Sequence, residues 1–181
     1  VLSGKGQGAL HDLVPSAGTV AVLMNPTNAN ANLDLDETQK AARALGLQLQ
    51  LLRVTNQHEI DAAFAARAQN PPDAIFVGGD AYFTSQRHQI VALVARMRTP
   101  AIYPRREYVA AGGLISYATQ VLDANRVAAT YVGRILKGER PGDLPIQQPT
   151  KFDLAINLKT ATTLNLTIPP GILAIADEVV E

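Results

Sequence analysis

Short apolar runs alternate along this chain with longer stretches in which apolar residues recur every three or four positions. The first run, Thr19–Met24, reads Thr-Val-Ala-Val-Leu-Met without a polar break. Such continuity marks a strand buried on both faces rather than one with a wet side. It ends in Asn25-Pro26-Thr27-Asn28, a turn cluster of helix-capping side chains. Residues 33–45 then follow helical spacing through Thr38, Ala41, Ala42 and Leu45, with Gly46 suited to the end. Residues 47–54 predict a second strand. A second helix over 57–69 starts after Thr55-Asn56 and is stopped by Asn70-Pro71-Pro72. Residues 73–77 predict a third strand running into Gly78-Gly79-Asp80, residues 84–97 a third helix, and residues 100–103 a fourth strand.

The stretch 114–156 continues the pattern differently. Leu-Ile-Ser-Tyr-Ala-Thr-Gln enters a long helix whose apolar stripe is Val121, Ala124, Ala128, Tyr131, Val132 and Ile135. That helix closes at Ile135-Leu-Lys-Gly-Glu-Arg-Pro141. Residues 137–149 read as a linker dense in Gly, Pro and charge, and residues 152–156 as a further strand. Strands separated by single helices imply crossovers and a parallel sheet, so the fold class is α/β, a parallel-sheet αβα sandwich.

Composition narrows the function classes. At 181 residues and 47% hydrophobic, the chain supports one ordinary domain with a real core. Sixteen basic and sixteen acidic residues cancel, no basic block stands out, and aromatics are only 5%. Nucleic acid is therefore a poor partner. No apolar run approaches the roughly 18–20 residues that span a bilayer. Residues 1–8 are polar and glycine-rich, unlike a secretory signal, a feature that a mature exported protein shares. The absence of cysteine excludes disulfides, thiol catalysis and Cys-based zinc sites. His11, His58 and His88 fall on predicted helices without metal spacing and read as surface residues. No nucleophile elbow, Walker loop or dinucleotide fingerprint occurs, and Gly78-Gly79-Asp80 lacks the third glycine. No catalytic residue, metal or cofactor is expected.

In parallel α/β sheets the ligand crevice lies beyond the carboxyl ends of the strands. The residues there are Asn25 to Asn28, Thr55 and Asn56, Gly78 to Phe83, and Tyr103 to Tyr108. Each has two readings. Asn25 and Asn28 serve as turn and capping residues or as ligand contacts. Asp80 caps the third helix or pairs with an ammonium group. Tyr82 and Phe83 cover the sheet edge or flank an apolar body. Arg105, Arg106 and Glu107 form a solvated loop or face the crevice. Tyr117 packs in the core or stands at a crossing point.

Several stretches carry a resemblance. Val20-Ala-Val-Leu-Met-Asn-Pro, Asp73-Ala-Ile-Phe-Val-Gly-Gly-Asp80, Arg106-Glu-Tyr-Val-Ala-Ala-Gly-Gly-Leu-Ile-Ser-Tyr117, Gly133-Arg-Ile-Leu-Lys-Gly-Glu-Arg-Pro141 and Ala155-Ile-Asn-Leu-Lys-Thr-Ala161 occur in order, and Leu166-Thr-Ile-Pro-Pro-Gly-Ile-Leu-Ala-Ile-Ala-Asp-Glu-Val closes the chain. Together they resemble the substrate-binding proteins of ABC transporters, in a group that includes tryptophan-binding members. The resemblance implies a type I periplasmic-binding-protein fold of two lobes closing on a small solute, and a periplasmic location. It implies solute contacts at Asn25, Thr27, Asn28, Asn56, Asp80, Tyr82 and Glu107, with Tyr117 at the hinge. It also implies a membrane permease as partner and no enzymatic turnover. Where the family often has Ser-Tyr-Gly, this chain has Ser116-Tyr117-Ala118, and alanine disfavours positive φ.

Full members carry a further N-terminal lobe. The expected organisation is therefore a C-terminal ligand-binding lobe over 1–113, a crossover strand and helix belonging to the other lobe over 114–138, and a return over 139–181. The orphaned stripe of the 119–138 helix is then expected to be covered by a second copy of the chain. Two rivals remain at this level: the ligand-sensing domain of a transcriptional repressor, which uses the same fold, and a small α/β enzyme.

Overall fold

The computed structural model describes residues 2–147 and 151–181; no side chain is described at residues 2–7, 121 and 122. The strands are β1 (Thr19–Met24), β2 (Gln48–Arg53), β3 (Ala74–Val77), β4 (Ala101–Tyr103), β5 (Ile115–Thr119), β6 (Phe152–Asn157) and β7 (Glu178–Val180). They form one sheet in the order β2-β1-β3-β4-β5-β6-β7. From β2 to β5 every neighbouring pair is parallel, as the continuous apolar runs require. β6 lies antiparallel to β5, and β7 runs parallel to β6.

Alternation along the strands sorts the core into two halves. Ala21, Leu23, Ile75, Val77, Ala101 and Tyr103 face one side. There they pack with Ile60 and Phe64 of α3 (Gln57–Ala65), Phe83 of α4 (Ala81–Ser85), Ile90, Val91 and Val94 of α5 (Arg87–Met97), and Tyr108 of α6 (Arg106–Ala110). Val20, Ala74, Ile102, Ile115, Leu154 and Ile156 face the other side. Against them pack Leu10 and Leu13 of α1 (Leu2–Leu13), Ala161 of α8 (Leu158–Thr163) and Ile172 of α9 (Pro170–Ala174). α2 (Ala31–Ala44) lies against α1. At the amino end of the sheet Asp73 clasps two strands, its Oδ2 accepting from the Gly18 and Thr19 amides at 2.9 and 2.8 Å and from the Thr19 hydroxyl at 2.8 Å. These donors, the Thr19 amide foremost, hold the Asp73 carboxyl below its ordinary range.

Two helices depart from expectation. The single helix expected over 84–97 is two, α4 and α5, parted at Gln86. The Thr84 hydroxyl donates to the Asp80 carbonyl at 2.9 Å and the Ser85 hydroxyl to the Tyr82 carbonyl at 2.6 Å. Such back-bonding competes with the helical ladder where α4 stops. The helix over 57–69 is regular only to Ala65 and continues as turns. Of the histidines, His58 and His88 are exposed, but His11 is half-buried, with a buried Nδ1 that has no partner among the described residues. Ala118 sits within β5, and only Arg98 and Asn165 among the described non-glycine residues take positive φ, so the alanine costs no strain.

After β5 the chain leaves the sheet. α7 (Val121–Leu136) is about 24 Å long at 1.5 Å per residue. None of its described side chains is buried, and among the described residues no other helix or strand packs extensively along it. Val132 is 56% exposed and Ile135 39%, although both lie on its apolar stripe; Val121, at the head of that stripe, is outside the described side chains. The linker expected over 137–149 holds a short 3-10 turn at Pro141–Asp143, and its last two residues lie outside the described ones. The chain returns at β6, where Phe152 pairs with Thr119. The crossing is strapped: the Gln120 amide donates to the Lys151 carbonyl at 3.0 Å, Gln120 Nε2 to Asp153 at 3.1 Å, and Lys151 pairs with Asp123 at 2.9 Å.

Gly113 joins α6 to β5 where a side chain has no room. A Cβ there meets Tyr103 Cε2 at 2.6 Å and the Tyr108 carbonyl oxygen at 2.8 Å. We predict that Gly113→Ala lowers stability by about 2–3 kcal/mol, the scale of an overpacked core. Gly133→Ala, in open space within α7, should raise it by about 0.5–1 kcal/mol. Chemical denaturation of the two variants checks the pair; a shift in the same direction for both contradicts this packing.

Candidate functional site

The strand order reverses at β1, which has β2 on one side and β3 on the other. Connections therefore leave β1 and β3 toward opposite faces of the sheet and open a crevice between their carboxyl ends. Gly78 closes the base of that crevice. Its amide donates to the Leu23 carbonyl at 2.9 Å, and a Cβ at Gly78 would stand 2.9 Å from the same oxygen. The chain can then deliver Asp80 directly opposite the loop that follows β1.

Asp80 uses both carboxylate oxygens. Oδ1 accepts from the Tyr82 and Phe83 amides at 2.8 and 3.3 Å, capping α4. Oδ2 accepts from Asn28 Nδ2 at 2.8 Å and Asn25 Nδ2 at 3.3 Å across the crevice. The two asparagines are bifunctional as well. Asn25 Oδ1 accepts from the Thr27 amide and hydroxyl at 3.0 and 2.7 Å, and Asn28 Oδ1 accepts from the Asn30 amide at 2.9 Å. Each side chain thus turns its oxygen back on its own loop and offers its amide to Asp80. The capping alternative is realised at Asp80 through Oδ1, while Oδ2 faces the crevice and is held there by the two asparagine amides.

Above these groups lies an open cleft of about 380 Å³ whose rim includes Asn28, Asp80, Thr84, Arg105 and Thr119. That volume falls within the range of small-molecule sites. A second hollow under Asn25, Asn28 and Asp80 reaches only about 30 Å³ and is too small for a solute. Asp80 and Arg105 carry opposite charges on one rim, yet no ion pair joins them, and Arg105 makes no hydrogen bond or ion pair among the described residues. The cleft therefore presents a carboxylate whose charge no cation neutralises, with both oxygens already hydrogen-bonded to neutral donors, and a guanidinium without a hydrogen-bond or ion-pair partner among the described residues. Behind the rim, the stacked rings of Tyr103 and Tyr108 lie 5.0 Å apart. Burial pushes the Tyr108 hydroxyl up to about 12, with the Asp80 charge adding to the rise, so it stays protonated.

The remaining predicted residues lie elsewhere. Thr27 is exposed at the loop tip and holds Asn25 in place. Asn56 caps α3, accepting from the Glu59 amide at 3.0 Å, while Glu59 accepts from the Thr55 amide at 2.7 Å. Tyr82 packs part-buried against the core beside Phe83, and lines none of these cavities. Tyr117 stacks on Phe152 at 5.4 Å, on the sheet face away from Ser116 and Ala118. Glu107 stands over a neighbouring cavity. Thr84 and Thr119 are the rim residues not singled out in the sequence, whereas Arg105 stands there with two readings, solvated loop or crevice. The signal for Thr119 is positional, since it ends β5. No group of His, Asp or Glu among the described residues is arranged to hold a metal ion.

The family model for ABC transporter substrate binding proteins matches residues 9–180. No curated protein sequence matches the chain. Among solved structures, the chain is similar to a conserved domain protein of Vibrio cholerae, at 25% identity and a TM-score of 0.89 over 98% of this chain and 60% of that one. It is similar in fold to an ABC domain from Streptococcus pneumoniae solved in complex with L-Trp, at 24% identity and a TM-score of 0.90 over 99% and 60%. It is also similar in fold to the ligand-free, open structure of a substrate binding protein with adhesive properties from Clostridium difficile, at 18% identity and a TM-score of 0.74 over 99% and 60%. The chain thus spans about 60% of the length of each of these structures. With a match that runs from α1 to β7, the chain belongs to the ABC transporter substrate binding protein family.

Proposed function

We propose that this chain is the solute-binding component of a bacterial ABC uptake transporter, working outside the cytoplasmic membrane and delivering a small solute to a membrane permease. The family match supports this over the ligand-sensing domain of a repressor, which the fold alone would also serve. On this reading the solute is bound and released unchanged. The observation that carries it is the cleft with Asp80 and Arg105 on one rim and no ion pair between them. A solute with an ammonium and a carboxylate group complements that pair, so an amino acid is the favoured class. Asn25 and Asn28 orient Asp80, while Thr27 fixes Asn25. Asn56, Tyr82, Glu107 and Tyr117 act around this centre: Asn56 by capping α3, Tyr82 as the flank of α4, Glu107 beside Arg105, and Tyr117 at the hinge.

In this account the lobe holds the whole sheet, with β5 seated between β4 and β6 rather than in the crossover, and α7 is the part that crosses toward a second lobe. Solute touching both lobes favours the closed state, which is the form a permease reads. Micromolar affinity needs about −8 kcal/mol. A charge-assisted hydrogen bond contributes roughly 1.5–3 kcal/mol, so the contacts of one lobe fall short. The uncovered stripe of α7 needs a partner in the isolated chain, and a second copy supplies one by packing against it or exchanging the segment.

Two experiments follow. In calorimetry against the twenty L-amino acids, the 181-residue chain should bind none at micromolar concentration, whereas the full-length gene product should bind at least one. Asp80→Asn in the full-length product keeps a good helix cap, so it should stay folded and lose about tenfold or more in affinity, the value of one charge-assisted bond. Micromolar binding by the 181-residue chain, or an unchanged affinity in the variant, contradicts the reading. Separately, light scattering on the 181-residue chain should give twice its mass of 19.3 kDa; a monomer sinks the dimer.

A further inference from the structure

Beside the cleft lies a second, larger cavity of about 490 Å³ on the same side of the sheet as α6. Its floor follows from strand register. Ser116 and Ala118 alternate onto this face of β5, opposite Ala155 and Asp153 of β6, and Ala155 in turn faces Glu178 of β7. The small side chains of Ala118 and Ala155 leave the floor open. Ser116 lies in it only 1% exposed, and its hydroxyl makes no hydrogen bond among the described residues. A buried hydroxyl without a partner is uncommon in a folded protein and points to a guest that completes it.

The walls carry charge of mainly one sign. Glu107, Asp153, Asp177 and Glu178 stand against Arg105 and Arg106. Arg106 reaches Glu178 only at 3.9 Å, with both side chains largely exposed. Asp153 is engaged by Gln120 and Asp177 by the Leu154 amide, both neutral donors that leave the negative charges standing. Glu107 has no hydrogen bond or ion pair among the described residues. Arg105, Ala118 and Thr119 border this cavity and the cleft alike, so one guest can occupy both.

We propose that this cavity is the second compartment of the solute site and takes a cationic group at the far end of the solute, with Ser116 accepting from it. The solute class is then a basic amino acid, its head on Asp80 and Arg105 and its tail passing over Ala118 to the carboxylate wall. This rests on the reading of Asp80 and Arg105 given above. An apolar tail would leave Ser116 unpaired and the wall unneutralised, and an acidic one would meet charge of its own sign.

The test is calorimetry on the full-length gene product with L-lysine, L-arginine, L-leucine and L-glutamate. L-lysine and L-arginine should bind at least tenfold tighter than L-leucine, with L-glutamate weakest. Ser116→Ala should bring the ratio of lysine to leucine affinity close to one, and Glu178→Gln should lower the same ratio should the buried substitution disturb folding. Leucine binding as tightly as lysine, or a ratio untouched in both variants, overturns the second compartment. If Asp80→Asn still weakens leucine in that case, the head-group reading stands alone. Binding of none of the four contradicts both.

Discussion

Parallel strand direction is the constraint from which the rest of this structure follows. Strands β1 to β5 all run one way, so both faces must be covered by helices and every carboxyl end opens on one edge. The backbone groups of the loops at that edge are satisfied by side chains rather than by neighbouring strands. That is why Asn25, Asn28, Asn56 and Asp80 all appear as local hydrogen-bond partners. The reversal of strand order at β1 then parts two of these loops and turns a row of turns into a crevice.

On the proposed reading, Asp80 serves both stability and recognition. A carboxylate has acceptor capacity on each oxygen, and here one oxygen is committed to the start of α4 while the other looks across the crevice. The cap holds the side chain in a single orientation, which on the proposed reading lowers the ordering cost of binding a solute. Asn25 and Asn28 add a second restraint from the opposite loop. The charge on that rim is therefore fixed in position but not neutralised.

Much of this was legible in the residues. Burial on both faces leaves an unbroken apolar run, so Thr19–Met24 has the same bounds in sequence and structure. What escaped depends on geometry that no local pattern encodes. Whether Ser116 or Tyr117 faces the site is a matter of strand register, since a shift of one residue exchanges the two faces. Tyr117, the more conspicuous side chain, turns to the Phe152 face, and Ser116 turns to the cavity. Arg105 has two readings in sequence, a solvated loop residue or one that faces the crevice. Its position on the cleft arises only because β5 lies beside β4 and brings Thr119 opposite. The break at Gln86 is hidden for another reason, because hydroxyls that bond back to carbonyls are compatible with either a helix or its end.

The long excursion between β5 and β6 gives the fold its second meaning. A helix whose apolar stripe stays exposed at Val132 and Ile135 is costly unless something covers it, and the straps at Gln120 and Lys151 fix where it leaves and re-enters the lobe. The central claim is that a solute sits at this strand-end cleft with its charged head between Asp80 and Arg105. A crystal structure of the full-length gene product with its co-purified or titrated solute tests it most directly. The account predicts a positively charged nitrogen within hydrogen-bonding reach of Asp80 Oδ2 and a carboxylate on the Arg105 guanidinium. A solute bound away from the ends of β1, β3 and β4, or one whose charged groups touch neither residue, would contradict it.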